Sequence, residues 1–141
     1  MIREYNYKLI GQLKSDHKKI FKLSKDIYSL FHKKDSFEEI REKLDILKSM
    51  LIMHLNFEDA ILYPYLIDRY RLDGEKLSFI QKSSRGMENL SEISLKFIEE
   101  CSNEELYRKH KDRFKKELKD IGELLLKRVK FEEEKLYPLY K

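Results

Sequence analysis

Phe57-Glu58-Asp59-Ala60-Ile61-Leu62-Tyr63-Pro64 returns 74 residues later as Phe131-Glu132-Glu133-Glu134-Lys135-Leu136-Tyr137-Pro138, so the pattern F-E-[DE]-x-x-L-Y-P occurs twice. At the same offset Leu44, Leu47 and Leu51 map onto Leu118, Ile121 and Leu125, and His54 maps onto Arg128. Apolar residues at alternating spacings of three and four mark one face of a helix. The repeat therefore predicts a duplicated helix pair, with a proline near the end of each second helix limiting its extension.

Outward from the repeat, three breaks divide the chain. The periodic pattern stops at Lys33-Lys34-Asp35-Ser36, where Ser36 and Glu39 read as a capping box; Ser102 and Glu105 repeat that signal, and Leu72-Asp73-Gly74 marks a turn. Four helical segments result, roughly 5–33, 37–70, 75–100 and 103–138. Short connections between long helices favour antiparallel neighbours, so the expected fold is all-α, an up-down-up-down antiparallel four-helix bundle in a single domain over residues 1–141.

Composition agrees with this reading. Of 141 residues 40% are charged and 41% hydrophobic, with only four Gly, two Pro, one Cys and no Trp. Six turn-forming residues are too few for a β-rich fold of this length. One cysteine excludes an intrachain disulfide, and the start Met1-Ile2-Arg3-Glu4-Tyr5 lacks an apolar export segment, so a reducing cytoplasm is expected. No apolar run approaches the roughly 20 residues that span a bilayer, so no membrane is expected. The formal charge of +4 comes from 30 basic and 26 acidic side chains interspersed along the chain, which argues against nucleic acid as a partner.

The seams carry the chemistry. Segment one gives Leu13, His17, Ile20, Ser24, Ile27 and Phe31; segment two gives Phe37, Ile40, Leu44, Leu47, Leu51, His54, Glu58 and Ile61. Segment three gives Leu77, Ile80, Ser84, Met87, Ser91, Ser94 and Ile98; segment four gives Leu118, Ile121, Leu125, Arg128, Glu132 and Leu136. A buried carboxylate or imidazole is costly unless paired, hydrogen-bonded or bound to metal. His54 and Glu58 lie one turn apart and reach one ion from a single face, while the repeat sets Glu132 level with Glu58 and His17 faces both. Two nitrogens and two carboxylates suit iron, manganese or zinc. The bare H-x-x-x-E spacing is common on helices, and a seam histidine also reads as a hydrogen-bonded core residue. His32 and His110 fall near helix ends and read as surface or cap residues. Tyr63 and Tyr137 read as structural, the Lys109 to Lys119 stretch as a solvated face, and Cys101 as inert.

With these residues in place, the chain resembles the hemerythrin-like family, the HHE cation-binding domains, along nearly its whole length. The resemblance implies a di-iron centre inside the bundle, with His17 as the helix-one ligand, His54 and Glu58 as the helix-two pair, and Glu132 as the last carboxylate. It also implies handling of oxygen, nitric oxide or redox signals. The chain departs from the family where a helix-four histidine becomes Arg128 and a helix-three histidine becomes Ser84. A guanidinium keeps its proton and cannot coordinate a cation. Arg128 then replaces the metal in a buried Arg–Glu–His network, or a single ion remains on His17, His54 and Glu58 with Glu132 shared between it and Arg128. The stretch from Asp120 to Leu136 is similar to the last helix of the regulator of sigma D family, which implies a metal-free regulatory bundle that binds a protein partner. No Gly-rich phosphate loop, nucleophile elbow or Cys cluster marks a conventional enzyme.

Overall fold

The computed structural model describes residues 4–141; the reading of Met1, Ile2 and Arg3 as part of a start without an export signal lies outside them. Among the described residues every regular element is helical. The first rod is α1 (Leu9–Leu30). The second is α2 (Phe37–Phe57), continued by a π-helical turn, π1 (Glu58–Leu62), and by α3 (Tyr63–Arg69). The third is α4 (Gly74–Cys101), and the fourth joins α5 (Glu104–Lys109), α6 (Lys111–Phe131), a second π turn, π2 (Glu132–Leu136), and a 3-10 turn at Tyr137–Leu139. α1 packs on α2 and α6, and α4 packs on the same two helices, closing the expected antiparallel bundle around its seams. No helix among the described residues is long and apolar enough to cross a membrane.

The helix ends depart from the expected signals in instructive ways. Ser36 does precede α2, but its hydroxyl donates to the Leu30 and Lys33 carbonyls at 2.6 and 2.9 Å rather than accepting from its own helix. The preceding Asp35 takes the left-handed conformation at φ 53°, which a short polar side chain tolerates. Asn103, not Ser102, caps α5, accepting from the Leu106 N–H at 3.0 Å. The fourth segment is also broken at His110, with no Gly or Pro to announce it. The break lets the buried Tyr107 ring meet Phe31 and Phe37, at 5.8 and 5.1 Å, while Phe114 packs on Phe97 from the next helix.

The two prolines act through the π turns. Proline has no N–H and crowds the carbonyl four residues before it, which breaks a regular α ladder. In both copies of the repeat the turn just before the proline widens, and the Tyr63 and Tyr137 N–H groups reach back to the Glu58 and Glu132 carbonyls. After Pro64 the widened turn leads into α3 and the rod runs on to Arg69, next to the expected end near 70; after Pro138 the chain leaves the helix at Tyr140.

The core is divided. One apolar cluster holds Leu9, Leu13, Leu62, Leu66, Ile80 and Leu136 at the end where the chain closes. The other holds Ile20, Leu51, Met87, Leu118 and Leu125 with the rest of the bundle. Every rod crosses from one cluster to the other at a polar residue. His17 lies between Leu13 and Ile20, His54 and Glu58 between Leu51 and Leu62, Ser83 between Ile80 and Met87, and Arg128 and Glu132 between Leu125 and Leu136. The fold thus holds a polar belt between two apolar layers.

Candidate metal centre

Within the belt His17, His54 and Glu132 are all buried, and one ligand atom from each lies within 4.8 Å of the others. Glu132 Oε1 is 3.0 Å from His17 Nε2 and 4.0 Å from His54 Nε2. Glu58 joins from the second rod, its Oε1 3.5 Å from His54 Nε2. Of the four candidate ligands expected from sequence, His17, His54 and Glu132 are therefore brought together, and Glu58 stands beside His54.

The outer nitrogens fix the inner ones. His17 Nδ1 donates to Glu133 Oε2 at 2.8 Å, and His54 Nδ1 donates to Asp16 Oδ2 at 3.3 Å. A carboxylate on each Nδ1–H is the arrangement that orients metal-ligating histidines; His17 Nε2 is itself hydrogen-bonded to Glu132 Oε1, and loss of its proton frees that nitrogen as a ligand. Glu58 Oε1 has no hydrogen-bond partner. Two imidazole nitrogens and Glu132 Oε1 converge, with the unpartnered Glu58 Oε1 beside His54, and once deprotonated such a donor set fits a divalent cation of the iron, manganese or zinc class.

Arg128 points into the belt and is nine-tenths buried. Its Nε donates to Glu132 Oε2 at 3.1 Å, and its Nη2 donates to the Tyr63 hydroxyl and to Ser83 Oγ, each at 3.0 Å. Ser83, rather than the expected Ser84, is the serine turned to the guanidinium; Ser84 lies half-buried beside it. A three-or-four spacing from Ile80 to Met87 admits either serine, and helix rotation chooses the first.

The electrostatics follow from this placement. Burial disfavours a charged His17, but the hydrogen bonds to Glu132 and Glu133 outweigh it and raise the pKa. His54 shifts the other way, chiefly through burial. Burial and the charge of Glu132 push the Glu58 carboxyl well above the usual range. Burial acts on Glu132 in the same sense, yet its hydrogen bond to His17 and the Arg128 charge prevail and bring it down to about 2. The two carboxyls are thus split, one toward its neutral form and one held as the anion.

Sequence reasoning missed the two repeat tyrosines as site residues. Tyr137 donates to Glu58 Oε2 and to Glu132 Oε1, both at 3.2 Å, and stands 3.3 Å from His17 Nε2. Burial and both carboxyls push its pKa up, so it stays a phenol donor. Tyr63 shares its hydroxyl with Ser83 at 3.1 Å, and burial pushes it up to about 12. The signal lay in the L-Y-P repeat itself, and Glu133 likewise occupies the repeat's second acidic position. Asp16 had no such signal. His32 and His110 lie outside the belt, as expected; His32 meets Lys115 at the surface and His110 ends α5.

Comparison with known proteins agrees with this geometry. The family described as hemerythrin HHE cation binding domain matches residues 8–140. No curated protein and no solved structure matches the chain. The similarity to the regulator of sigma D family gains no support from these comparisons.

Proposed function

The chain belongs to the hemerythrin HHE cation-binding domain family, and we propose that it holds a single ion of the iron class on His17, His54, Glu58 and Glu132, with Arg128 in place of a second ion. One observation carries this reading: Glu132 is divided, its Oε1 turned to the two inward histidine nitrogens and its Oε2 held by Arg128. A guanidinium supplies a fixed positive charge where a second cation would neutralise the carboxylate, but it offers no lone pair.

In this reading Asp16 and Glu133 hold the histidine rings in the tautomer that frees Nε2. Tyr137 keeps a proton over Glu58 and Glu132, orienting both carboxylates, and the apolar layers on either side exclude water. When bound, a redox-active ion supplies one-electron chemistry and affinity for small diatomic gases, so the proposed role is handling of oxygen, nitric oxide or a redox signal inside the cell.

Metal analysis of protein purified without chelator, then loaded anaerobically with ferrous iron, tests the proposal. One ion per chain without the absorption bands of an oxo-bridged pair is expected. Two ions per chain would reject the role given to Arg128. No bound ion would favour the second reading, a metal-free regulatory bundle for a protein partner, which the Arg128–Glu132 pair also supports.

A further inference from the structure

We propose that the cleft between α4 and α6 binds a small oxyanion of the phosphate class, with Arg128, Lys82 and Lys127 as its cations. The cleft has a volume of about 380 Å3 and is lined by Phe79, Lys82, Ser83, Lys127, Arg128 and Phe131. Three of the six lining residues are cations and none is a carboxylate.

Arg128 faces two ways. Its Nε and Nη2 are spent inward on Glu132, Tyr63 and Ser83. Its Nη1, which carries two further N–H donors, has no acceptor among the described residues. Gly86 stands beside this nitrogen in the middle of α4, where a Cβ would lie 3.6 Å from Nη1. Glycine inside a helix is disfavoured relative to alanine; here it leaves the flank of the guanidinium uncovered. The guanidinium carbon sits 5.0 Å from the centre of the Phe131 ring, and Phe79 packs on Phe131 at 5.5 Å. The rings hold the guanidinium plane and give the cleft apolar walls, next to which a charge-assisted hydrogen bond is stronger than in open water. Lys82 and Lys127 are exposed at the rim and supply the remaining charge.

The inference is separate from the cation reading, since it uses the outward nitrogen of Arg128 and the metal-free protein tests it. Inorganic phosphate is titrated into metal-free protein at constant ionic strength, with amide and Arg Nε–H resonances followed by NMR. Saturable shifts are expected at Arg128, Ser83 and Phe131. The Lys82→Ala/Lys127→Ala double variant, which changes only exposed side chains, is expected to weaken binding about tenfold or more. Gly86→Leu, which covers Nη1, is expected to do the same. Phenyl phosphate is titrated in parallel: tighter binding than phosphate assigns the aromatic wall to the organic part of an ester, and equal binding assigns the cleft to the free anion. Non-saturating shifts spread over all lysine-bearing faces, or unchanged affinity in the double lysine variant, would overturn the proposal.

Discussion

Glu58 is the residue least at ease in the bundle without a cation. It is 1% exposed, one carboxyl oxygen lacks a partner, and the charge of Glu132 acts on it more strongly than that of Arg128. A buried polar atom left unsatisfied costs about 1–3 kcal/mol. Replacing it by the neutral isostere, Glu58→Gln, is expected to leave metal-free protein as stable as the parent or more so, by up to about 2 kcal/mol in chemical denaturation. The same variant is expected to lose cation affinity at least tenfold, because an amide oxygen is a poorer ligand than a carboxylate. A variant that is destabilised yet binds as before would show Glu58 to be a structural residue. Cys101 offers the opposite case. It is fully buried, and burial followed by the charge of Glu117 pushes its thiol up to about 12. The thiolate is the reactive form, so at pH 8 native protein should resist alkylation for hours and denatured protein should react in minutes. The folded pKa lies above the ordinary 9.0, so any contribution of this thiol to stability is intact below pH 9 and lost as pH rises toward 12. Rapid labelling of the native protein at pH 8 would contradict this.

At the scale of elements, the two π turns are what the repeat encodes. Each begins at a belt glutamate and ends just before a tyrosine whose hydroxyl returns to the belt, and such widened turns are frequent at functional sites. Deleting Ala60 would restore a regular α ladder. The ring of Pro64 would then meet that ladder directly, and either Glu58 or Tyr63 would rotate about 100° away from the belt. The deletion variant is expected to keep its helix content by circular dichroism while cation binding falls at least tenfold; retention of full affinity would mean that the turn does not position the site. The wheel arithmetic of a straight helix placed His17, His54, Glu58 and Glu132 inward correctly, because each sits on a long uninterrupted seam. It failed where the backbone leaves that geometry. The π turns swing Tyr63 and Tyr137 inward, the break at His110 has no residue-type signature, and the choice of Ser83 over Ser84 depends on how α4 rotates against Arg128. The tyrosines were marked by the repeat, though not by helical spacing; the other two are tertiary decisions that no local pattern records.

At the scale of the whole molecule, the belt is the weak layer of the fold and the place where a ligand gains most. The apolar clusters on either side bury leucines, isoleucines and aromatic rings, whereas the belt between them relies on ion pairs and hydrogen bonds whose net value after desolvation is small. Its candidate ligands come from three rods: His17 on α1, His54 and Glu58 on the second, Glu132 on the fourth. An ion held by all of them would cross-link those rods at mid-height, so its binding energy would appear as folding energy. Binding to the native state alone stabilises by about 2.7 kcal/mol at a hundredfold excess over Kd. For a chain of this size that corresponds to a rise in Tm of roughly 5–10 °C. Thermal unfolding of metal-free protein titrated with ferrous, manganous and zinc ions should therefore show a Tm that climbs with the logarithm of free metal and returns to its starting value with chelator. His54→Ala should abolish the climb, since it removes a ligand while leaving the Arg128–Glu132 pair and both apolar clusters in place. If none of the three ions moves the midpoint of the parent protein, the belt is closed by Arg128 alone, and the bundle must do its work without a metal.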